Sequence, residues 1–145
     1  MRYFLDAEFN GFGGGLISIA LVPEDQSTAF YAALHCDAPT RWVCDHVLPV
    51  LDTDPLPRCE VTTRLAAYLD SDPEPIVIAD WPEDIAHLLL LMVTGAGARV
   101  PTPTIVFKLL DLPMFDATGL SRTPHNALSD ASAMKDFILR EERPV

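Results

Sequence analysis

Arg2-Tyr3-Phe4-Leu5-Asp6-Ala7-Glu8-Phe9 is an apolar run with two acids set two positions apart. Side chains at i and i+2 of a strand project from the same face, so Asp6 and Glu8 are neighbours. Two carboxylates pointing the same way repel each other, and a fold tolerates this poorly without a cation between them. A divalent metal is the economical explanation. The apolar flanks Phe4, Leu5 and Ala7 favour a central strand over an edge strand with solvated acids.

Outward from that strand, the chain alternates in a way that sets the fold class. Residues 2–8 read as a first strand, Asn10 to Gly15 break it, and Leu16 to Val22 read as a second strand returning as a hairpin. Pro23 to Ser27 turn the chain again, and residues 28–34 suit a third, antiparallel strand. Residues 40–51 and 59–70 carry apolar side chains at helical spacing, Trp42, Val43, Val47 and Leu48 in one and Val61, Leu65 and Leu69 in the other. The run Ile76-Val77-Ile78-Ala79 fits a buried parallel strand, and residues 82–93 follow as a helix with Pro82 in its first turn. Residues 104–110 read as a fifth strand, and residues 124–140 as a closing helix with Leu128, Ala131, Met134 and Ile138 on one face. The expectation is an α/β protein: a mixed five-stranded sheet, an antiparallel three-stranded meander plus two parallel strands, flanked by helices.

Composition sets the context. At 145 residues, 49% hydrophobic and 21% charged, residues 1–145 read as one compact soluble domain. The amino terminus runs directly into the first strand, with no signal-like segment and no membrane-length apolar run, so a cytoplasmic protein without a membrane partner is expected. Cys36, Cys44 and Cys59 match neither a zinc ribbon nor a disulfide framework, and read as reduced, largely buried thiols. Ten Lys and Arg against 21 Asp and Glu leave a net charge of −11, which two bound divalent cations would not bring to zero. A strongly acidic surface does not steer long polyanions, so a short or single-stranded substrate suits this chain better than a long duplex.

Near the carboxyl end stands His125-Asn126-Ala127-Leu128-Ser129-Asp130. With Asp6-Ala7-Glu8 on the first strand and an Asp at the helix after Ile76 to Ala79, this order resembles the DEDDh 3′-5′ exonucleases of the ribonuclease H-like superfamily, most closely a small bacterial exoribonuclease branch. The likeness covers nearly the whole chain. It implies a ribonuclease H-like sheet and metal-dependent hydrolysis of phosphodiester bonds from the 3′ end of single-stranded RNA or short oligonucleotides, with DNA as the competing polymer. It also implies a homodimer as a common assembly. By the same resemblance Asp6, Glu8, Asp84 and Asp130 hold two divalent ions, Mg²⁺ or Mn²⁺, and His125 is the general base. Asp80 competes with Asp84, because it stands directly at the carboxyl end of its strand where ligand-binding residues of such sheets gather.

These residue types suit the chemistry. Two hard ions roughly 3.5–4 Å apart can activate a water and stabilise a leaving oxygen, and a neutral imidazole, ordinarily titrating near about 6.5, can take a proton near neutral pH. On a helix, His125 and Asp130 would lie one turn apart. Gly11, Gly13, Gly14 and Gly15 lack the Lys-Ser or Lys-Thr pair of a phosphate loop and read as a hairpin tip. Backbone amides at Gly11 and the rings of Phe9 and Phe12 are candidate contacts for a terminal nucleotide. Phe9 is equally suited to core packing. Arg122, Lys108 and Arg99 are candidate contacts for a substrate phosphate but read more readily as solvated charges, His87 reads as a packed or solvated residue, and His35 and His46 give no constellation. Two other readings stay open: an inactive nucleic-acid-binding module of the same fold, and a phosphodiesterase acting on nucleotides or dinucleotides.

Overall fold

The computed structural model describes residues 1–143 of the chain. Its core is a mixed sheet of six strands flanked by helices. The strands are β1 (Arg2–Phe9), β2 (Leu16–Pro23), β3 (Phe30–Leu34), β4 (Pro55–Leu56), β5 (Ile76–Ala79) and, last in the sheet, β8 (Val106–Leu109). A separate hairpin supplies β6 (Val93–Gly95) and β7 (Ala98–Arg99). The sheet order is β4-β3-β2-β1-β5-β8, with β1, β2 and β3 antiparallel to their neighbours in the meander and the pairs β1–β5, β5–β8 and β3–β4 parallel. The expected five strands are therefore six. The extra one, Pro55–Leu56, is a two-residue extension of the meander edge, defined by its register with Ala33 and Leu34 and too short to carry a periodic pattern.

Two faces of β1 build two cores. Tyr3, Leu5 and Ala7 pack with Val61, Leu65 and Leu69 of α2 (Arg58–Leu69) and Leu88 and Leu91 of α3 (Pro82–Met92). Phe4, on the opposite face, packs with Ile78 and with Met134 and Ile138 of α5 (Ala127–Glu141). Fully burying side chains of this size stabilises the fold by about 1.5–3 kcal/mol each. Asp6 and Glu8 continue the Phe4 alternation and so share the α5 side of a central strand.

Element boundaries differ from the sequence reading where local chemistry decides. The helical pattern over 40–51 splits into α1 (Arg41–His46) and a 3-10 turn over Leu48–Val50, with Pro49 inside it. The helix over 82–93 stops at Met92, since Val93 enters the exposed hairpin. The expected helix from 124 starts at Ala127: the Asn126 side chain accepts the Ser129 N–H at 3.0 Å and caps it. A short helix, α4 (Ala117–Leu120), precedes it. The cysteines also depart from expectation: all three are free, but Cys44 and Cys59 are exposed and Cys36 is half-buried. Cys44 and Cys59 lie on the solvent sides of α1 and α2, which bury Val43 and Val61 instead. Among the described residues, no helix is long and apolar enough to cross a membrane.

Candidate metal centre

The site forms where β1 outruns its parallel neighbour. Pairing of β1 with β5 runs from Arg2↔Ile76 to Phe4↔Ile78, and the chain after Ala79 leaves the sheet through Asp80 into α3. Beyond that point Asp6 and Glu8 still pair with Ala20 and Ser18 of β2, and Asp80 and the first turn of α3 approach from the other side. Asp84 lies in that first turn and is 3% exposed; Asp130, in the first turn of α5, is 4% exposed. Two helix amino termini thus bring their acidic residues to the same strand end, a placement the helix dipole favours.

The electrostatics of this cluster are those of buried, crowded carboxylates, with His125 opposing the rise only at Asp130. Burial pushes Asp6 well above the usual carboxylate range, and the negative charges of Asp84, Glu8, Asp130 and Asp80 push it further. Glu8 is raised to about 7, first by burial and then by Asp130. Asp84 is raised to about 8 by burial, with Asp80 and Glu8 adding to it and a hydrogen bond from the Ala7 backbone opposing it. Burial likewise raises Asp130 and Asp80. The residues thus show mutual repulsion across elements that are far apart in sequence.

The hydrogen bonds leave the same message. Asp6 Oδ2, Asp130 Oδ1 and Ser18 Oγ are buried and have no partner among the described residues, and Ser18 faces Glu8 across the β1–β2 ladder. Buried polar atoms are ordinarily satisfied, because an orphan costs about 1–3 kcal/mol. Dehydrated carboxylate oxygens that lack donors fit a hard divalent cation. Glu8, His125 and Asp130 each bring one ligand atom within 4.8 Å of the others.

His125 reaches the site by a different route from the expected helical one. It precedes the cap of α5 and has φ = 67°, a left-handed conformation uncommon outside glycine. Its backbone N–H donates to Asp130 Oδ2 at 3.0 Å, and Ser129 Oγ accepts from Thr123 N at 2.9 Å, which fastens the turn to the helix. Asn126 Nδ2 donates to Val50 O at 2.7 Å and ties the same turn to the segment after α1.

Beside that turn lie two α1 residues that the sequence alone does not connect to His125. The Trp42 ring stands edge-on to His125 at 4.9 Å between centroids and is stacked on His46, also at 4.9 Å. The His46 and His125 rings are 6.0 Å apart, so His46 belongs to a constellation after all. The signal for it was thin: a Trp and a His at helical i, i+4 spacing, separated from His125 by most of the chain.

The remaining candidates divide. Phe9 packs against the α2–α3 core and lies on the His87 ring at 4.8 Å, and burial lowers the His87 pKa. Phe12 is 99% exposed at the hairpin tip. Gly11 has φ = 73°, and a Cβ on Gly14 would stand 2.0 Å from Asn10 O, so this turn closes only with glycine. Gly13 N–H donates to Glu83 Oε1 at 3.3 Å, and the Asn10 side chain donates to Ala38 O and accepts from Thr40 N, both at 2.8 Å. The tip is thereby anchored to α3 and to the start of α1. Asp80 is half-buried beside the cluster, while Lys108, Arg99 and Arg122 are exposed. Comparison with protein-family models, with curated proteins and with solved structures gives no match.

Proposed function

We propose that this protein is a metal-dependent phosphodiester hydrolase, a 3′-5′ exoribonuclease of ribonuclease H-like fold that acts on single-stranded RNA ends or short oligonucleotides. The observation that carries the reading is the convergence of Asp6, Glu8, Asp84 and Asp130 at one strand end, with buried, unpartnered oxygens on Asp6 and Asp130. The sheet order, an antiparallel meander joined to two parallel strands, supports the fold assignment. The resemblance of Asp6-Ala7-Glu8 and His125 to Asp130 supports the reaction class.

In this reading Asp6, Glu8, Asp84 and Asp130 are the residues that would hold two divalent cations, Mg²⁺ or Mn²⁺. Bound there, the cations supply Lewis acidity and neutralise charge on the reacting phosphate. A ring nitrogen of His125 accepts the proton of the attacking water. Asp130 fixes the His125 backbone, and Trp42 limits the swing of the ring, so the base is positioned before substrate arrives. The exposed rings of Phe12 and Trp42 offer surfaces on which unpaired bases stack. The net charge of −11 favours the short substrates and also keeps the nucleotide or dinucleotide phosphodiesterase in view.

The test is hydrolysis of a 5′-labelled single-stranded RNA series, from dinucleotide upward, with Mg²⁺ or Mn²⁺, beside DNA of the same sequence. A ladder shortening from the 3′ end, abolished by EDTA and by Asp6→Ala, is expected. Cleavage confined to the dinucleotide would favour the dinucleotide phosphodiesterase. Binding of RNA without cleavage under either metal would make the protein an inactive binding module.

A further inference from the structure

We propose that Glu8, His125 and Asp130 form a site for one borderline divalent cation of the zinc type, with the His125 imidazole as a ligand. The three donor atoms lie within 4.8 Å of one another. Donors about 2.0–2.2 Å from a tetrahedral ion stand about 3.4 Å apart, a difference that side-chain torsions close. Asp130 is 4% exposed and its Oδ1 is unpartnered, while its Oδ2 accepts the backbone N–H of His125. The contact between Asp130 and His125 therefore leaves the imidazole uncommitted. The left-handed backbone at His125 sets the ring beside Glu8 and Asp130 ahead of the helix.

This donor set, one nitrogen and two carboxylates with a fourth position open, is one that zinc accepts and magnesium does not. Magnesium keeps oxygen ligands and water, so it would use Glu8 and Asp130 and leave the ring free. Zinc, higher in the affinity order for nitrogen donors, would take all three. The metal present then decides whether His125 is available to accept a proton. The site itself stands on geometry; its consequence, that zinc blocks Mg²⁺-supported hydrolysis, rests on the proposed function.

The test follows the four histidine rings of the full-length protein by NMR during titration with Zn²⁺ and, separately, Mg²⁺. A His125 ring nitrogen should take the ¹⁵N shift of a metal-bound imidazole with Zn²⁺ and not with Mg²⁺, which perturbs the ring only from its neighbours. In His125→Asn, a substitution that tolerates the left-handed backbone, Zn²⁺ affinity by calorimetry should fall on the order of a hundredfold. Mg²⁺ affinity should stay within about twofold. Unchanged zinc affinity in His125→Asn, or a His125 ring indifferent to Zn²⁺ in the wild-type protein, would overturn the site. Cobalt substitution guards against the exposed thiols: absorption by a cobalt–thiolate bond in place of the His125 response would also overturn it. Loss of RNA hydrolysis with every metal, alongside an intact zinc response at His125, would sink the hydrolase reading and leave this site standing.

Discussion

The two ends of β1 carry the same kinds of acid under opposite conditions. At the amino-terminal end the chain supplies its own cations: Arg2 pairs with Glu24 at 2.6 Å and Glu142 at 2.7 Å, and the Met1 ammonium with Asp72 at 2.7 Å. Hydrogen bonding to these cations holds Glu24, Glu142 and Asp72 below their ordinary carboxylate values. At the other end, Asp6, Glu8, Asp84, Asp130 and Asp80 are all raised, with burial the largest cause at every one. One end is a finished electrostatic structure. At the other, His125 opposes the rise at Asp130 but the remaining acids repel one another, and a fold that buries such a cluster at two helix termini gives up stability to keep it.

The widest expected separation between the ends is in activity. Asp6→Ala should lower RNA hydrolysis on the order of 10³-fold or more, measured as single-turnover cleavage with saturating Mn²⁺. His125→Asn should cost about 10²–10⁴-fold while Mg²⁺ binding persists, which separates the base from the ligands. Retention of full activity in either variant would break the assignment of that residue.

Stability against pH distinguishes the ends next. The folded-state pKa values of Glu8, about 7, and Asp84, about 8, lie above those of the unfolded chain. Their contribution is therefore complete below the ordinary carboxylate range and is lost as pH rises through about 7 and 8. In EDTA, the melting temperature should drop by several degrees between pH 5 and pH 9, and Mn²⁺ should restore it at the alkaline end. A melting temperature in EDTA that is level across this range would mean the acids are satisfied without metal.

The smallest effect belongs to the finished end. Arg2→Met should cost about 1 kcal/mol or less in urea denaturation, because Glu24 and Glu142 are partly exposed and water screens the pairs. With the carboxylates lowered, that contribution exists above their ordinary values and disappears as pH falls through the depressed ones. RNA hydrolysis should be unaffected.

Local periodicity encodes some of these elements, and contacts between distant segments define the rest. Strands such as Arg2–Phe9 and Leu16–Pro23 and helices such as Arg58–Leu69 and Pro82–Met92 are written in local periodicity, and the sequence reading found them within a few residues. Pro55–Leu56 becomes a strand through its neighbour, and the Val93–Arg99 hairpin is exposed and short, so neither leaves a hydrophobic pattern. Asp6 and Glu8 were legible as a pair because strand alternation is local. Their meeting with Asp84 and Asp130 was reached by resemblance, since no spacing in the chain encodes it. The approach of Trp42 and His46 to His125, like the neighbouring hydrogen bond from Asn126 to Val50, joins segments far apart in the chain. The helix start at Ala127, and with it the left-handed His125, was legible in part: Asn126 is a strong capping residue, and the apolar period beyond it drew the expected helix too far forward.

If the acids at the carboxyl end of β1 are held for divalent cations, the protein binds such ions through them in the absence of any substrate. Equilibrium binding of Mn²⁺, followed by the loss of the free-ion electron paramagnetic resonance signal, tests it without reference to any substrate. Two ions per chain are expected in the wild-type protein, with binding lost at both positions in Asp6→Ala. Mn²⁺ that remains free in the presence of the wild-type protein, or is bound equally by Asp6→Ala, would contradict it.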